Sequence, residues 1–292
     1  MQWGRILTAM VTPFTADGKL DLDGARRLAA YLVDHGSDGL VVAGTTGESP
    51  TLTHEEKIAL FREVKKAVGD RAAVIAGTGT NSTAASIELS REAEALGVDG
   101  LMLVVPYYNR PSQEGLYQHF KAIAAATTLP IILYNIPSRT GRNMDAATTL
   151  RLAEIKNIKA VKEASGDLDQ ATAILRQAPA DFLVYSGDDS LTLPLMAVGG
   201  YGIISVVAHV AGEKMQAMVR AFTAGDVQGA AALHRELFPL FKALFITSNP
   251  VPVKEALQML GLPAGPVRLP LVGATREEKE KIAAALKETG LL

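Results

Sequence analysis

The stretch Ile158-Lys159-Ala160-Val161-Lys162-Glu163-Ala164-Ser165 is an apolar, extended run that carries a lysine, Lys162, just before a polar turn. A lone ammonium buried in such a run costs several kcal/mol, so it must find a partner or give up its proton. An unprotonated amine attacks carbonyl carbons, which makes Lys162 a candidate nucleophile for imine chemistry. The plainer alternative is a lysine paired with a nearby carboxylate, Glu163 or Asp167. Lys159 lies nearer the start of the run and on its other face, because side chains three apart in a strand point oppositely, so position favours Lys162. The same period of two puts Ile158, Ala160, Lys162 and Ala164 on one face, and Ile132, Tyr134 and Ile136 on one face of the preceding run. If both faces look inward, a phenol meets the amine and can carry protons as an imine forms and collapses. The alternative for Tyr134 is a core tyrosine whose hydroxyl is satisfied elsewhere. Two further groups suit carboxylates. Gly44-Thr45-Thr46-Gly47 offers backbone N–H groups and two hydroxyls near a helix entry, although such a loop can be an ordinary turn. Arg139, in a loop bounded by proline and glycine, has the fork geometry that grips a second carboxylate, against the alternative of a solvated loop arginine.

Elements that could position these groups recur with one beat. Short apolar, β-branched runs occur at Ile6 to Val11, Leu40 to Ala43, Ala72 to Ala76, Leu101 to Val105, Ile131 to Tyr134, Ile158 to Val161, Phe182 to Tyr185 and Ile203 to Val207, eight in all. Between them lie helical spacings such as Ile58, Phe61, Val64 and Val68, or Leu116, Phe120 and Ile123. Thr53 with Glu56 three residues on predicts a capping box, and Gly36, Gly69 and Gly97 stand where helices should stop. Runs that are continuously apolar rather than alternating are buried on both faces, as in a parallel sheet covered by helices. Eight such strand-helix units predict an α/β fold of the closed (β/α)8 TIM barrel type. An open dinucleotide-binding sheet fits less well, because Gly77-Thr78-Gly79-Thr80-Asn81-Ser82 breaks the required glycine pattern at Ser82. A C-terminal region of about three helices follows, expected at Val227 to Ile246, Pro252 to Leu260 and Arg276 to Glu288. This divides the chain into a catalytic barrel over 1–226 and a helical region over 227–292. With no glycine- or serine-rich linker between them, the helices are expected to pack on the barrel, as a lid or as an oligomer surface.

A barrel of this kind places its chemistry at the C-terminal ends of the strands. Those ends are polar here: Gly44-Thr45-Thr46-Gly47-Glu48-Ser49, Pro106-Tyr107-Tyr108-Asn109-Arg110, Tyr134-Asn135-Ile136-Pro137-Ser138-Arg139-Thr140-Gly141 and Ser186-Gly187-Asp188-Asp189. Composition limits the alternatives. The 292 residues, 48% hydrophobic and 21% charged, exclude wholesale disorder, and a net charge of -2 offers no footprint for nucleic acid or an anionic membrane. The chain has no cysteine, which removes disulfides, thiolate metal sites and cysteine nucleophiles. The start, Met1-Gln2-Trp3-Gly4-Arg5, lacks a basic region followed by a long apolar one, and a cytoplasmic location is the expectation.

The polar strand ends, with Val161-Lys162-Glu163-Ala164, together resemble the dihydrodipicolinate synthase family, within the pyruvate-dependent class I aldolase and N-acetylneuraminate lyase superfamily. The match runs from the first strand to Leu291-Leu292 without a large insertion. The resemblance implies a lyase of lysine and diaminopimelate biosynthesis that condenses pyruvate with aspartate 4-semialdehyde. It implies that Lys162 forms the Schiff base with pyruvate and that Tyr134 shuttles protons at the imine. Thr45 and Tyr108 would complete a proton relay, with Tyr108 reaching in from the adjacent subunit of a dimer. Thr46, Ile204 and Gly187 would help hold pyruvate, and Arg139 the carboxylate of the aldehyde substrate. No metal or organic cofactor is implied, and the assembly would be a homotetramer built as a dimer of dimers.

Sister aldolases acting on N-acetylneuraminate or keto-deoxy-sugar acids resemble the chain in the lysine and tyrosine, while the arginine of Ser138-Arg139-Thr140-Gly141 favours the synthase. A barrel that kept binding and lost catalysis is disfavoured because Lys162 and Tyr134 are both present. In members inhibited by lysine the effector lies near residues matching Ser49, His54, Asn81 and Tyr107. Here an acidic residue expected beside the effector's amine is Ala85 and a histidine common there is Lys57. Losing an anion and gaining a cation disfavours a cationic ligand, so weak or absent feedback is expected.

Overall fold

The computed structural model describes residues 3–292. Eight strands, β1 (Ile6–Ala9), β2 (Gly39–Val42), β3 (Ala73–Gly77), β4 (Gly100–Val104), β5 (Ile131–Asn135), β6 (Ile158–Glu163), β7 (Leu183–Ser186) and β8 (Gly202–Ser205), form a closed barrel in sequential order, as the recurring apolar runs predict. The helices in chain order are α1 (Leu22–Asp34), α2 (His54–Val68), α3 (Thr83–Ala95), α4 (Gln113–Ala124), α5 (Pro137–Thr140), α6 (Ala146–Ala153), α7 (Leu168–Gln177), α8 (Thr192–Ala197), α9 (Ala208–Thr223), α10 (Val227–Ala243), α11 (Val251–Met259) and α12 (Arg276–Glu288). Every residue of β1, β2, β5 and β8 is buried, which accounts for runs of Ile, Leu and Val without polar alternation.

The chain divides into two compact units, one running to Ala73 and resuming at Ser205–Leu292, the other Val74–Ile204. In the first unit, α1 starts on Asp21 and α2 on Thr53, whose side chain accepts from Glu56 N–H while Glu56 reaches back. This is the predicted capping box, satisfying two orphan donors reciprocally. The helices from residue 227 belong to this same unit, where α10 packs on α9, and α12 on α10 and α11. The boundary expected after residue 226 thus falls between α9 and α10, inside one compact unit. α10 ends at Ala243, three residues before the expected Ile246, and α12 spans its expected residues.

In the second unit, α3, α4, α6 and α7 start on the side chains of Ser82, Ser112, Asp145 and Asp167, each accepting a backbone N–H three residues on. β4, β5, β6 and β7 pair in parallel, and the β5–β6 register shifts by one residue between Ile131 and Ile132. Among the described residues no helix is long and apolar enough to cross a membrane.

Candidate active site

The β5–β6 ladder sets Tyr134 directly opposite Lys162, and the β6–β7 ladder sets Lys162 opposite Tyr185. Lys162 is 5% exposed, Tyr134 3%, and Tyr185 fully buried. The lysine Nζ lies 4.4 Å from the centre of the Tyr134 ring. Phenol and amine thus lie side by side on paired strands, and both are sheltered.

Glu163 and Asp167, the carboxylates of the plainer reading, are engaged elsewhere. Glu163 accepts from Asn135 Nδ2 at 3.1 and 3.2 Å, from Ser165 N–H at 2.7 Å and from Gln170 Nε2 at 3.0 Å. Asp167 caps α7. Lys159 on the other face is the lysine that pairs, with Asp181 at 2.6 Å. Burial pulls the Lys162 pKa down to about 8, with the nearby charge of Asp189 pushing back up and that of Arg139 adding to the fall. Such an amine is still mostly protonated at neutral pH, yet far readier to attack a carbonyl than a solvated lysine.

Gly187, just after β7, serves the lysine by being small. A methyl group there would sit 3.2 Å from both Cγ and Cε of Lys162 and 2.5 Å from Cβ of Ala164. Arg139 is carried by the single turn of α5, opened by Pro137, and is exposed at the rim. Ile204 lies in β8 and is 1% exposed. Tyr108 is not drawn toward Lys162 within this chain: it is 90% exposed on the loop after β4, with φ +70°.

In the first unit, the turn Gly44–Ser49 after β2 closes through Glu48 N–H to Thr45 O at 3.0 Å and Ser49 N–H to Gly44 O at 3.2 Å. Thr46 is 3% exposed and its hydroxyl accepts from Asn249 Nδ2 at 2.9 Å, while Thr45 is half-buried. Of the residues associated with an effector, Ser49 is half-buried and His54 exposed at the start of α2. In the second unit, Asn81 is half-buried, its carbonyl accepting from Asn109 Nδ2 at 2.8 Å, and Tyr107 is half-buried.

Two features went unread in the sequence. Asp189, 2% exposed, is the acid whose charge reaches Lys162, whereas its neighbour Asp188 caps a turn through Ser190. Adjacent aspartates carry no signal that separates them. Asn135 and Glu163, one step beyond Tyr134 and Lys162 in the ladder, form a buried bracket behind the pair.

The chain matches the dihydrodipicolinate synthetase family over residues 2–289. It is 61% identical over 292 residues to the 4-hydroxy-tetrahydrodipicolinate synthase of Desulforudis audaxviator, covering 100% of this chain and 99% of that protein. A crystal structure of a dihydrodipicolinate synthase from Bacillus anthracis superposes with a TM-score of 0.96 at 52% identity, covering 98% of each chain. Another, from Cyanidioschyzon merolae with lysine bound, gives 0.98 at 49% identity, covering 99% of each. With the sheltered lysine, its tyrosine and these full-length matches in agreement, the chain belongs to the dihydrodipicolinate synthetase family.

Proposed function

We propose that this chain condenses pyruvate with L-aspartate 4-semialdehyde to 4-hydroxy-tetrahydrodipicolinate, in lysine and diaminopimelate biosynthesis, through an imine on Lys162. The observation that carries the reading is a buried amine, its pKa pulled down to about 8, lying against the ring of a buried tyrosine. The neutral amine adds to the ketone carbon of pyruvate and water leaves, giving an iminium. Its positive nitrogen acidifies the adjacent methyl, which loses a proton to become an enamine. The enamine carbon attacks the aldehyde, and the substrate's own amine then displaces Lys162 by attack on the imine carbon, closing the ring.

Each step moves a proton at a defined atom, and Tyr134 is the group assigned to it, with Thr45 and Tyr108 as its relay. Thr46, Ile204 and Gly187 hold or shape the pyruvate end, and Arg139 takes the aldehyde's carboxylate. No metal or organic cofactor enters this scheme. Family resemblance supports a homotetramer in which Tyr108 serves a neighbouring subunit, and its 90% exposure and left-handed backbone accord with a residue that has no place in its own chain's core. A cytoplasmic location accords with the reaction.

The reading is tested by assaying product formation from pyruvate with aspartate semialdehyde, and pyruvate release from N-acetylneuraminate, with wild type and Arg139→Ala. Turnover with the semialdehyde is expected, and none with the sugar acid. Arg139→Ala should raise KM for the aldehyde about tenfold or more, the scale of a lost charge-assisted fork, while pyruvate binding changes little. Cleavage of the sugar acid instead would assign the chain to a sister aldolase.

A further inference from the structure

The turn that bears Thr45 and Thr46 is bent at both ends and fastened from the C-terminal region. Ala43 and Glu48, on either side of Gly44-Thr45-Thr46-Gly47, have φ of +53° and +56°, a left-handed conformation that non-glycine residues adopt only when their surroundings impose it. Glu48 is buried, and its Oε1 receives Lys254 Nζ of α11 at 2.7 Å; the two side chains are 1% and 2% exposed. Its Oε2 accepts the backbone N–H of Arg268 at 2.9 Å. Lys254 also donates to Pro266 O at 2.7 Å and stands 4.2 Å over the ring of Phe14.

Arg268 ties its own segment to the chain beyond the turn, its two terminal guanidinium nitrogens donating to the Glu56 carboxylate of α2 at 2.6 and 2.7 Å and one of them also to Thr51 O at 2.9 Å. The approach is close enough that a Cβ on Gly265 would fall 1.8 Å from Phe14 O. A separate tie comes from Asn249, just before α11, whose Nδ2 donates to Thr46 Oγ1 at 2.9 Å.

A buried ion pair is a weak source of stability, since apolar residues of the same volume commonly do as well. Burial here pulls the Lys254 pKa down to about 8 even with Glu48 against it. What an apolar pair could not do is fix the direction of the backbone at Glu48, next to the turn's last glycine.

We infer that Glu48, Lys254 and Asn249 are positioning residues, by which the C-terminal region clamps the Thr45–Thr46 turn in the shape that receives the carboxylate of the keto-acid substrate. The inference rests on the role given above to Thr45 and Thr46. It assigns the helices after residue 243 a part in the reaction although they contribute no group to the chemistry.

The test uses the full chain with Glu48→Gln/Lys254→Met, which removes both charges together so that neither is left buried alone, and separately Asn249→Ala. Melting temperature reports folding, steady-state kinetics give kcat and the pyruvate KM, and borohydride reduction followed by mass spectrometry reports the pyruvate adduct on Lys162. The clamp predicts that both variants fold, that the pyruvate KM rises about tenfold or more, and that Lys162 is still labelled at saturating pyruvate. The double variant should also lose kcat, because Thr45 is displaced along with Thr46.

Folded variants whose KM and kcat stay within about twofold of wild type overturn the inference. Should the double variant fail to fold, Asn249→Ala decides by the same criterion. Wild type that turns over without being labelled on Lys162 would refute the imine reading, a result distinguishable from wild type that is labelled alongside kinetically unchanged variants.

Discussion

At the scale of single residues, the two lysines of β6 differ first of all in burial. Lys159 has a side chain 37% exposed and an exposed partner in Asp181, the kind of surface pair that contributes little. Lys162, three residues on, is sealed from water, and burial brings its pKa to about 8. At pH 7 about a tenth of it is then neutral, against about three parts in ten thousand at an unperturbed value of 10.5. The shift has a stability consequence of definite sign. With the folded pKa depressed, the buried ammonium weighs against the folded state below pH about 8, and that penalty fades as pH rises from about 8 to 10.5.

The neighbouring charges make the shift testable. Asp189 raises the Lys162 pKa, so Asp189→Asn is expected to move the acid limb of the imine-formation rate to lower pH, read by rapid mixing with pyruvate across pH 6 to 10. A limb that stays in place, or moves upward, would remove Asp189 from the electrostatics of the site. Lys162 and Tyr134 were legible in the sequence because each stands at a strand end with period-two neighbours. Asp189 was not, since which of two adjacent aspartates turns inward depends on the backbone of the turn.

At the scale of elements, the site depends on a register that no single strand encodes. β5 and β6 start in step at Ile131 and Ile158, then slip so that Ile132 faces Ala160, and only this slip brings Tyr134 opposite Lys162. Without it Tyr134 would face Val161, and the phenol would lose its direct partner. The strands themselves were visible as apolar runs, to within one or two residues at most ends, because burial on both faces leaves a continuous signal. The slip was not visible, because it is a property of the pairing.

The bracket behind the pair, Glu163 with Asn135 and Gln170, holds these strand ends on the outer side. Gly187 at the end of β7 completes the arrangement by leaving space for the lysine stem. Gly187→Ala is expected to fold yet lose pyruvate labelling of Lys162 by about a hundredfold, as its methyl meets the lysine stem and the fixed Cβ of Ala164. A variant labelled at the wild-type rate would show that the stem has slack this geometry denies it.

At the scale of the whole molecule, the tail was readable as three helices but its purpose was not. Sequence alone admits either a lid or an oligomer surface, whereas the ties from Asn249, Lys254 and Arg268 to the turn after β2 show it built into the unit that begins the chain. Those ties join residues more than two hundred positions apart, beyond the reach of any local pattern.

The expectation of weak lysine feedback also belongs to the whole molecule. Lys57 is half-buried with its pKa drawn down by desolvation, and Ala85 is exposed and offers no anion. The family resemblance puts an acidic residue at the position of Ala85 and a histidine at that of Lys57 in members inhibited by lysine, so a cationic effector would find one anion fewer and one cation more. Steady-state assays with added L-lysine are therefore expected to show weak or no inhibition, and half-inhibition at a submillimolar concentration would contradict this.

The central claim is that Lys162 bonds to the ketone carbon of pyruvate during turnover. The most direct measurement is reduction with borohydride in the presence of pyruvate, followed by peptide mass spectrometry and assay of the same sample. The account predicts a single pyruvate-derived adduct on the peptide containing Lys162, with activity lost in proportion to labelling. Enzyme that stays fully active and unmodified at Lys162, or that carries its adduct on Lys159, would contradict it.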